Sequence, residues 1–237
     1  MIHTDTLVIE VTRRCNYKCM HCLRGDAMQM DITKEVLEEI ARNVDPYSVT
    51  FTGGEPALNI QAMRYYMEQA KKYGTVPNSF YVVTNGSVNQ EELALFSLQM
   101  YALADDKEGC GLALSMDPYH GYPDDKSAIF DGLAFFSREK MHPMDMKDED
   151  WILKSGRAID NGLEGRGNSY PESWEEVHAD LLYGEWYLND QVLYVSSNGK
   201  VTFNCDMSYE EIDEAEFGTV FELEENLKKH FREADAA

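Results

Sequence analysis

"TLVIEVTRRCNYKCMHC" (residues 6–22) sets a run of β-favouring residues directly before three cysteines. Leu7, Val8, Ile9 and Val11 read as a short apolar strand. Cys15, Cys19 and Cys22 follow in one loop, whereas Cys110 and Cys205 stand alone. Five is an odd count and the thiols are clustered, so a disulfide framework is not indicated. Three thiolates on one loop can converge on one inorganic centre. Structural zinc takes four ligands, and here the fourth is missing. His21 adjoins Cys22, and chelation of one ion by both would strain that dipeptide. Iron–sulfur cubanes also use thiolates, normally four, so three would leave one iron open to a ligand that is not protein. A zinc knuckle, or three unrelated core cysteines, stays open as the alternative.

Outward from this loop, two apolar periods alternate. "TKEVLEEIARNV" (33–44) places Val36, Leu37, Ile40, Ala41 and Val44 on one helical face. "SVTFT" (48–52) reads as a strand. "QAMRYYMEQAKKYG" (61–74) reads as a helix ending in Gly74 as C-cap. "SFYVVT" (79–84) is a strand, and "QEELALFSLQMYALA" (90–104) a helix that uses Leu93, Phe96, Met100 and Leu103. "GLALSM" (111–116) is a strand, "KSAIFDGLAFFSREK" (126–140) a helix and "DWILKS" (150–155) a strand. Alternating strands and helices with short connections predict an α/β fold, with a parallel sheet wrapped by helices. Ligands of such folds bind at the carboxyl ends of the strands. Beyond residue 180 the pattern changes. "GEWYLNDQVLYVSSNGKVTFNC" (184–205) alternates and turns at Asn198-Gly199, and "ELEENLKKHF" (222–231) closes as a short helix. The expected division is 1–180 for the barrel and 181–237 for a small antiparallel cap packed on the same domain.

Composition narrows the function classes. The chain has 237 residues and carries 43 Asp and Glu against 21 Lys and Arg, a net charge of −22. Such a surface repels phosphate backbones and anionic lipid, so neither nucleic acid nor membrane is expected as a partner. The start "MIHTDTLVIEV" has no signal-peptide pattern, and no apolar run reaches a membrane span. The expected location is cytoplasmic, where thiols stay reduced.

The spacing "CNYKCMHC" after "TLVIEVTRR" resembles the C-x-x-x-C-x-x-C signature of the radical S-adenosylmethionine (SAM) superfamily. Four further stretches resemble its elements in order: "FTGGEP" (51–56), "VTNG" (83–86), "LSMD" (114–117) and "KSGRA" (154–158). Together they cover about residues 6–160. The resemblance implies a partial (β/α) barrel of about six parallel strands. It also implies one [4Fe–4S] cluster on Cys15, Cys19 and Cys22, with SAM on the open iron. His21 takes the place of the aromatic residue that usually precedes the last cysteine. Gly53 and Gly54 would bring backbone close to the ligand, and Glu55 would accept from its ammonium. Pro56 would stiffen the turn. Asn85, Ser115 and Asp117 would face the ribose, and Arg157 the carboxylate. The implied chemistry is reductive cleavage of SAM to a 5′-deoxyadenosyl radical, which takes a hydrogen atom from the substrate. It needs an electron donor such as flavodoxin or ferredoxin.

The tail "SNGKVTFNCDMSYEEIDEAEFGTVFE" (197–222) resembles the start of a SPASM or twitch extension, common on peptide-modifying members. Those extensions hold auxiliary clusters through several cysteines, and here Cys205 stands alone, so no auxiliary cluster is expected. A redox-neutral outcome on a peptide, such as epimerisation, follows, with Cys205 as hydrogen donor. Tyr119 and His120 in "DPYHGY" (117–122) would orient the substrate or move a proton. Two alternatives stand beside this reading: a radical SAM enzyme acting on a sugar or nucleotide, and a non-catalytic metal-binding protein.

Overall fold

The computed structural model describes residues 1–115, 117, 119–120, 128–139 and 151–231. Among the described residues, eight strands form one sheet: β1 (Ile2–Thr12), β2 (Val44–Gly53), β3 (Ser79–Thr84), β4 (Gly111–Ser115), β5 (Phe136–Glu139), β6 (Ala179–Leu182), β7 (Glu185–Val195) and β8 (Val201–Thr202). Their order is β5-β4-β3-β2-β1-β7-β6, with β8 paired to β7. Strands β1 to β5 are mutually parallel, and β7 joins β1 in parallel on its other side. This open sheet of six parallel strands is the partial (β/α) barrel that the sequence implies. β6 and β8 pair with β7 in antiparallel, so β7 is shared by the parallel sheet and the C-terminal hairpins.

Helices α1 (Lys34–Asn43), α2 (Ile60–Tyr73) and α3 (Gln90–Leu103) follow the first three strands. Thr33 caps α1 through its side chain on the Val36 amide, and Gly74 ends α2 in the left-handed conformation, where the lack of a Cβ removes the steric cost. Leu7, Ile9, Val11, Val49, Phe51, Phe80, Val82 and Leu112 pack with Val36, Leu37, Ile40, Met63, Tyr66, Leu93 and Phe96 in one core. Leu103, expected in that core, is 45% exposed. It ends its helix and points to solvent.

The opposite face of the sheet is of another kind. The register aligns Tyr194, Val8, Thr50 and Tyr81 in one row. Thr50, Thr52, Tyr81 and Val83 are only half-buried there. The strands are therefore two-faced, with an apolar side under the helices and a more polar side on the barrel interior.

Two expected elements are corrected. Residues 128–132, placed in a helix by pattern, form turns, and the fifth strand is Phe136–Glu139, pairing Leu112 with Phe136 and Ser115 with Glu139. Gly132 weakens a helix there. Phe135 packs on Phe80 at 5.5 Å and Tyr101 at 4.7 Å, which anchors the segment to the sheet. Within the expected strand 150–155, residue 150 lies outside the described residues. Leu153 makes only an isolated bridge to Arg166. There the chain leads instead into α4 (Arg157–Asp160). Helices α5 (Tyr209–Glu214) and α6 (Leu223–Phe231) follow at the end of the described residues.

Candidate functional site

The cysteine loop follows β1 and is held by the carboxyl ends of the neighbouring strands. From β2, the Gly54 amide donates to the Thr12 carbonyl at 2.8 Å, and the Glu55 amide to that of Arg14 at 2.9 Å. A Cβ on Gly53 would lie 2.3 Å from the Thr12 oxygen, and one on Gly54 2.4 Å from the Arg14 oxygen. The glycine pair is thus required by backbone contact with the cysteine loop itself. From β3, Asn85 Nδ2 donates to Asn16 Oδ1 at 3.1 Å, while Asn16 Nδ2 donates to Ser87 Oγ at 2.6 Å. The 3-10 turn Pro56–Asn59 starts on Pro56, whose fixed φ suits a first helical position.

Glu55 ties these ends together. Its side chain is buried and accepts from the Ala57 amide at 3.0 Å, the Thr84 hydroxyl at 2.6 Å and the Asn85 amide at 2.8 Å. Burial pushes its carboxyl up, against the pull of those three donors.

Two later segments close on the loop from the other side. The Arg157 amide donates to the Cys22 carbonyl at 2.9 Å, and its Nε to the Cys19 carbonyl at 3.1 Å. The guanidinium also meets Asp26. Gly156, at φ +52°, lies so close that a Cβ would stand 2.3 Å from the Leu23 oxygen. Arg24 donates to the Met207 carbonyl at 2.6 Å and covers the Tyr194 ring at 4.9 Å. The three thiols are free and partly exposed. Burial pushes Cys15 up to about 11 and raises Cys22 as well. A bound metal would take the place of those protons. Three soft donors on one anchored, accessible loop fit an iron–sulfur cluster.

Beyond β4, Asp117, Tyr119 and His120 gather beside His21. Asp117 Oδ1 accepts from the amides of Tyr119 at 2.8 Å and His120 at 3.0 Å. Its Oδ2 meets His120 Nδ1 and lies 3.8 Å from His21 Nε2. His21 also packs on Tyr119 at 4.6 Å and Trp151 at 5.4 Å between ring centres. Burial pulls the His120 imidazole down, but its contacts with Asp117 and Cys19 outweigh this and hold it up at about 10. Burial pushes Asp117 up, and the contact with His120 outweighs it and keeps the carboxyl below its ordinary range. Ser115 ends β4 and is buried. Met116, Pro118, Gly121 and Tyr122 lie outside the described residues.

Cys205 packs half-buried against a small cluster of Val8, Tyr194, Met207 and Ile212, on the barrel's inner side. Cys110 precedes β4, at the opposite end of the sheet from the cysteine loop. The sequence reading passed over Glu10, Arg13, Arg24 and Asp213. Glu10 and Arg13 are wholly buried and paired at 2.9 Å, and Arg13 forks onto Asp213 with two contacts of 2.7 Å. An acid and a base three residues apart on a strand and its exit were the available signal.

Residues 9–98 match the model of the radical SAM superfamily. Over 148 residues the chain is 26% identical to the putative peptide biosynthesis protein YydG of Bacillus subtilis, covering 58% of this chain and 43% of that one. Among solved structures it is similar to native anSMEcpe with bound AdoMet and Cp18Cys peptide, at 25% identity and a TM-score of 0.36, over 49% of this chain and 32% of that one. SuiB of Streptococcus suis bound to S-adenosylmethionine is similar at 12% identity and a TM-score of 0.39, over 84% and 60%. The chain spans less than half the length of the curated relatives it matches. Among the described residues, no helix is long and apolar enough to cross a membrane.

Proposed function

We propose that this chain, which belongs to the radical SAM superfamily through residues 9–98, is an enzyme that modifies a peptide. Cys15, Cys19 and Cys22 would hold one [4Fe–4S] cluster, with S-adenosylmethionine beside it. When bound, the two together supply a 5′-deoxyadenosyl radical that takes a hydrogen atom from substrate. The observation that carries this reading is the loop of three free thiols clamped between the ends of β2 and β3 and the Gly156-Arg157 turn.

The chain's own residues have distinct parts in this reading. Gly53 and Gly54 let the backbone beside the cysteines approach the ligand. Glu55 and Pro56 fix that backbone, because Glu55 already accepts three hydrogen bonds. Asn85, Ser115 and Asp117 offer polar atoms to the ribose, His21 a ring to the adenosyl group, and Arg157 a cation to the carboxylate. The half-buried row of Thr50, Thr52 and Tyr81 offers hydroxyls along the barrel interior, suited to peptide amides.

A peptide is favoured as substrate because the similar stretch of YydG belongs to a protein described as a putative peptide biosynthesis protein. β7 belongs to the parallel sheet, so within the expected cap of 181–237 the part after β7 is read as lying over the peptide, with Tyr119 and His120 orienting it. The outcome we favour is epimerisation, redox-neutral for the peptide, with Cys205 as hydrogen donor; flavodoxin or ferredoxin would supply one electron for SAM cleavage and a second, with a solvent proton, to return the Cys205 thiyl radical to the thiol.

The test is anaerobic reconstitution, then reduction with SAM and candidate peptides or metabolites in deuterated water, read by mass spectrometry. Methionine and 5′-deoxyadenosine should appear, with deuterium in a peptide product. A protein that holds only zinc, or never cleaves SAM, would sink the reading. Turnover of a sugar or nucleotide alone would replace the substrate class.

A further inference from the structure

We propose that the Tyr209 hydroxyl is a hydrogen-bond donor to the cluster sulfurs at Cys22, and that it makes the cluster easier to reduce. The inference rests on the reading of Cys15, Cys19 and Cys22 as the cluster's ligands and goes beyond it. It is independent of the substrate.

Arg13 and Arg24 stand at the two stems of the cysteine loop, and both are buried. The segment from Met207 to Asp213 lies across both stems. At the first, Arg13 forks onto Asp213 with two contacts of 2.7 Å, and its guanidinium covers the Tyr209 ring at 4.5 Å. At the second, Arg24 donates to the Met207 carbonyl at 2.6 Å, and the Tyr209 amide donates to the Arg24 carbonyl at 3.0 Å. Tyr209 is thus held by its ring on one stem and by its backbone on the other.

Its hydroxyl has no part in that clamp. Tyr209 is 5% exposed, and its Oη has no hydrogen-bond partner among the described residues. A buried hydroxyl without an acceptor is costly, so the group calls for an acceptor that arrives with the bound cofactor. Burial pushes the hydroxyl up, and the neighbouring Glu10 and Cys22 add to this against the pull of Arg24. It therefore stays protonated and can only gain by donating. Glu10 is already engaged by Arg13, Tyr194 and the Ser197 amide. The Cys22 sulfur accepts from the backbone amides of Arg24 and Gly25, so this end of the loop already gathers donors around sulfur. Hydrogen bonds to the sulfurs of an iron–sulfur cluster raise its potential, because the reduced form carries one more negative charge.

The probe is Tyr209→Phe in the full chain, reconstituted without air and titrated by electron paramagnetic resonance beside the parent. The ratio of reduced to oxidised cluster at a fixed potential should fall about fivefold for one ordinary hydrogen bond, a midpoint lower by about 40 mV for one electron. One exchangeable proton coupling to the reduced cluster, read by electron–nuclear double resonance in water and in deuterated water, should be missing. Tyr66→Phe is the control. Its hydroxyl is also buried and unpartnered, but it sits in the core under the helices, so potential and couplings should match the parent's. Metal-free Tyr209→Phe should be at least as stable as the metal-free parent, because the ring keeps its packing on Arg13 and no hydrogen bond is lost. An unmoved potential, an unchanged set of couplings or a less stable metal-free variant each overturns the proposal. A parent that takes up no cluster overturns the underlying reading and this inference together, and is told apart because neither protein then shows a potential.

Discussion

The Thr84 hydroxyl donates to Glu55 Oε1 at 2.6 Å, joining the end of β3 to the loop after β2 across a fully buried contact. The Asn85 amide takes the other carboxylate oxygen at 2.8 Å. Glu55→Ala would leave these two donors and the Ala57 amide without their acceptor, at about 1–3 kcal/mol each. The expected loss is about 3 kcal/mol in a denaturant melt. The loss should appear without any ligand present. Equal stability of Glu55→Ala and the parent would remove Glu55 as the clamp between the two strand ends.

Gly54→Ala and Gly156→Ala test the close approach of the flanking turns to the cysteine loop. The added Cβ atoms would meet backbone oxygens of Arg14 at 2.4 Å and Leu23 at 2.3 Å, and backbone cannot swing away as a side chain can. Each should cost about 1–3 kcal/mol and lower the iron retained after reconstitution. Gly162→Ala is the control. Like Gly156 it has a positive φ, at +64°, but it meets nothing within 4 Å, so it should leave the iron content unchanged. Equal iron in all three proteins would mean the loop does not depend on these contacts.

Asp213 should govern part of the acid stability. Burial pushes its carboxyl up, and the two hydrogen bonds from Arg13 outweigh this and hold it below the usual range. A depressed carboxylate binds its proton less readily in the native state than in the unfolded one. Its stabilisation is therefore present above the ordinary Asp value of about 4 and fades as pH falls through the lower native value. Melts taken at decreasing pH should steepen below about pH 4. Asp213→Asn should flatten that dependence, and an unchanged acid profile in this variant would remove the pair from the account.

What the sequence made legible is what lies in consecutive residues. The cysteine loop, Gly53-Gly54-Glu55 and Asn85-Gly86 each sit at the end of a strand whose apolar period announces it. The fifth strand was hidden because Ala128, Ile129, Phe130, Leu133 and Phe136 also suit a helical period, and only packing of Phe135 on Phe80 decides between them. The polar inner face was present as Thr50 and Thr52 alternating with Val49 and Phe51, but a buried parallel strand conceals that alternation when read as an apolar run. Arg13 and Asp213 are 200 residues apart, and Arg24 and Met207 are 183 apart. No local pattern reports pairings at such separations. The same holds for the approach of His21 to Asp117.

Replacing Cys15, Cys19 and Cys22 together by Ala should remove essentially all cluster iron from anaerobically reconstituted protein. The three thiols are free and partly exposed, so the fold should survive their loss, as circular dichroism would show. A brown triple variant with four irons per chain would place the cluster elsewhere.

Cys205 provides the sharpest test of the proposed reaction. It packs half-buried against Val8, Tyr194, Met207 and Ile212 on the inner side of the sheet. Burial pushes its thiol up, so it stays protonated at neutral pH, the form that can give a hydrogen atom. Thiol protons exchange with solvent, so product formed in deuterated water should carry one deuterium at the reacting carbon. Cys205→Ala should still cleave SAM, because that step needs only the cysteine loop and its ligands. It should fail to complete the epimerised product, while stability falls by only about 1 kcal/mol for one buried sulfur. Full, deuterated product from Cys205→Ala would reduce Cys205 to a packing residue and require another exchangeable donor on the same face. Product without deuterium from the parent would point to hydrogen returned from 5′-deoxyadenosine, with SAM regenerated at each turnover.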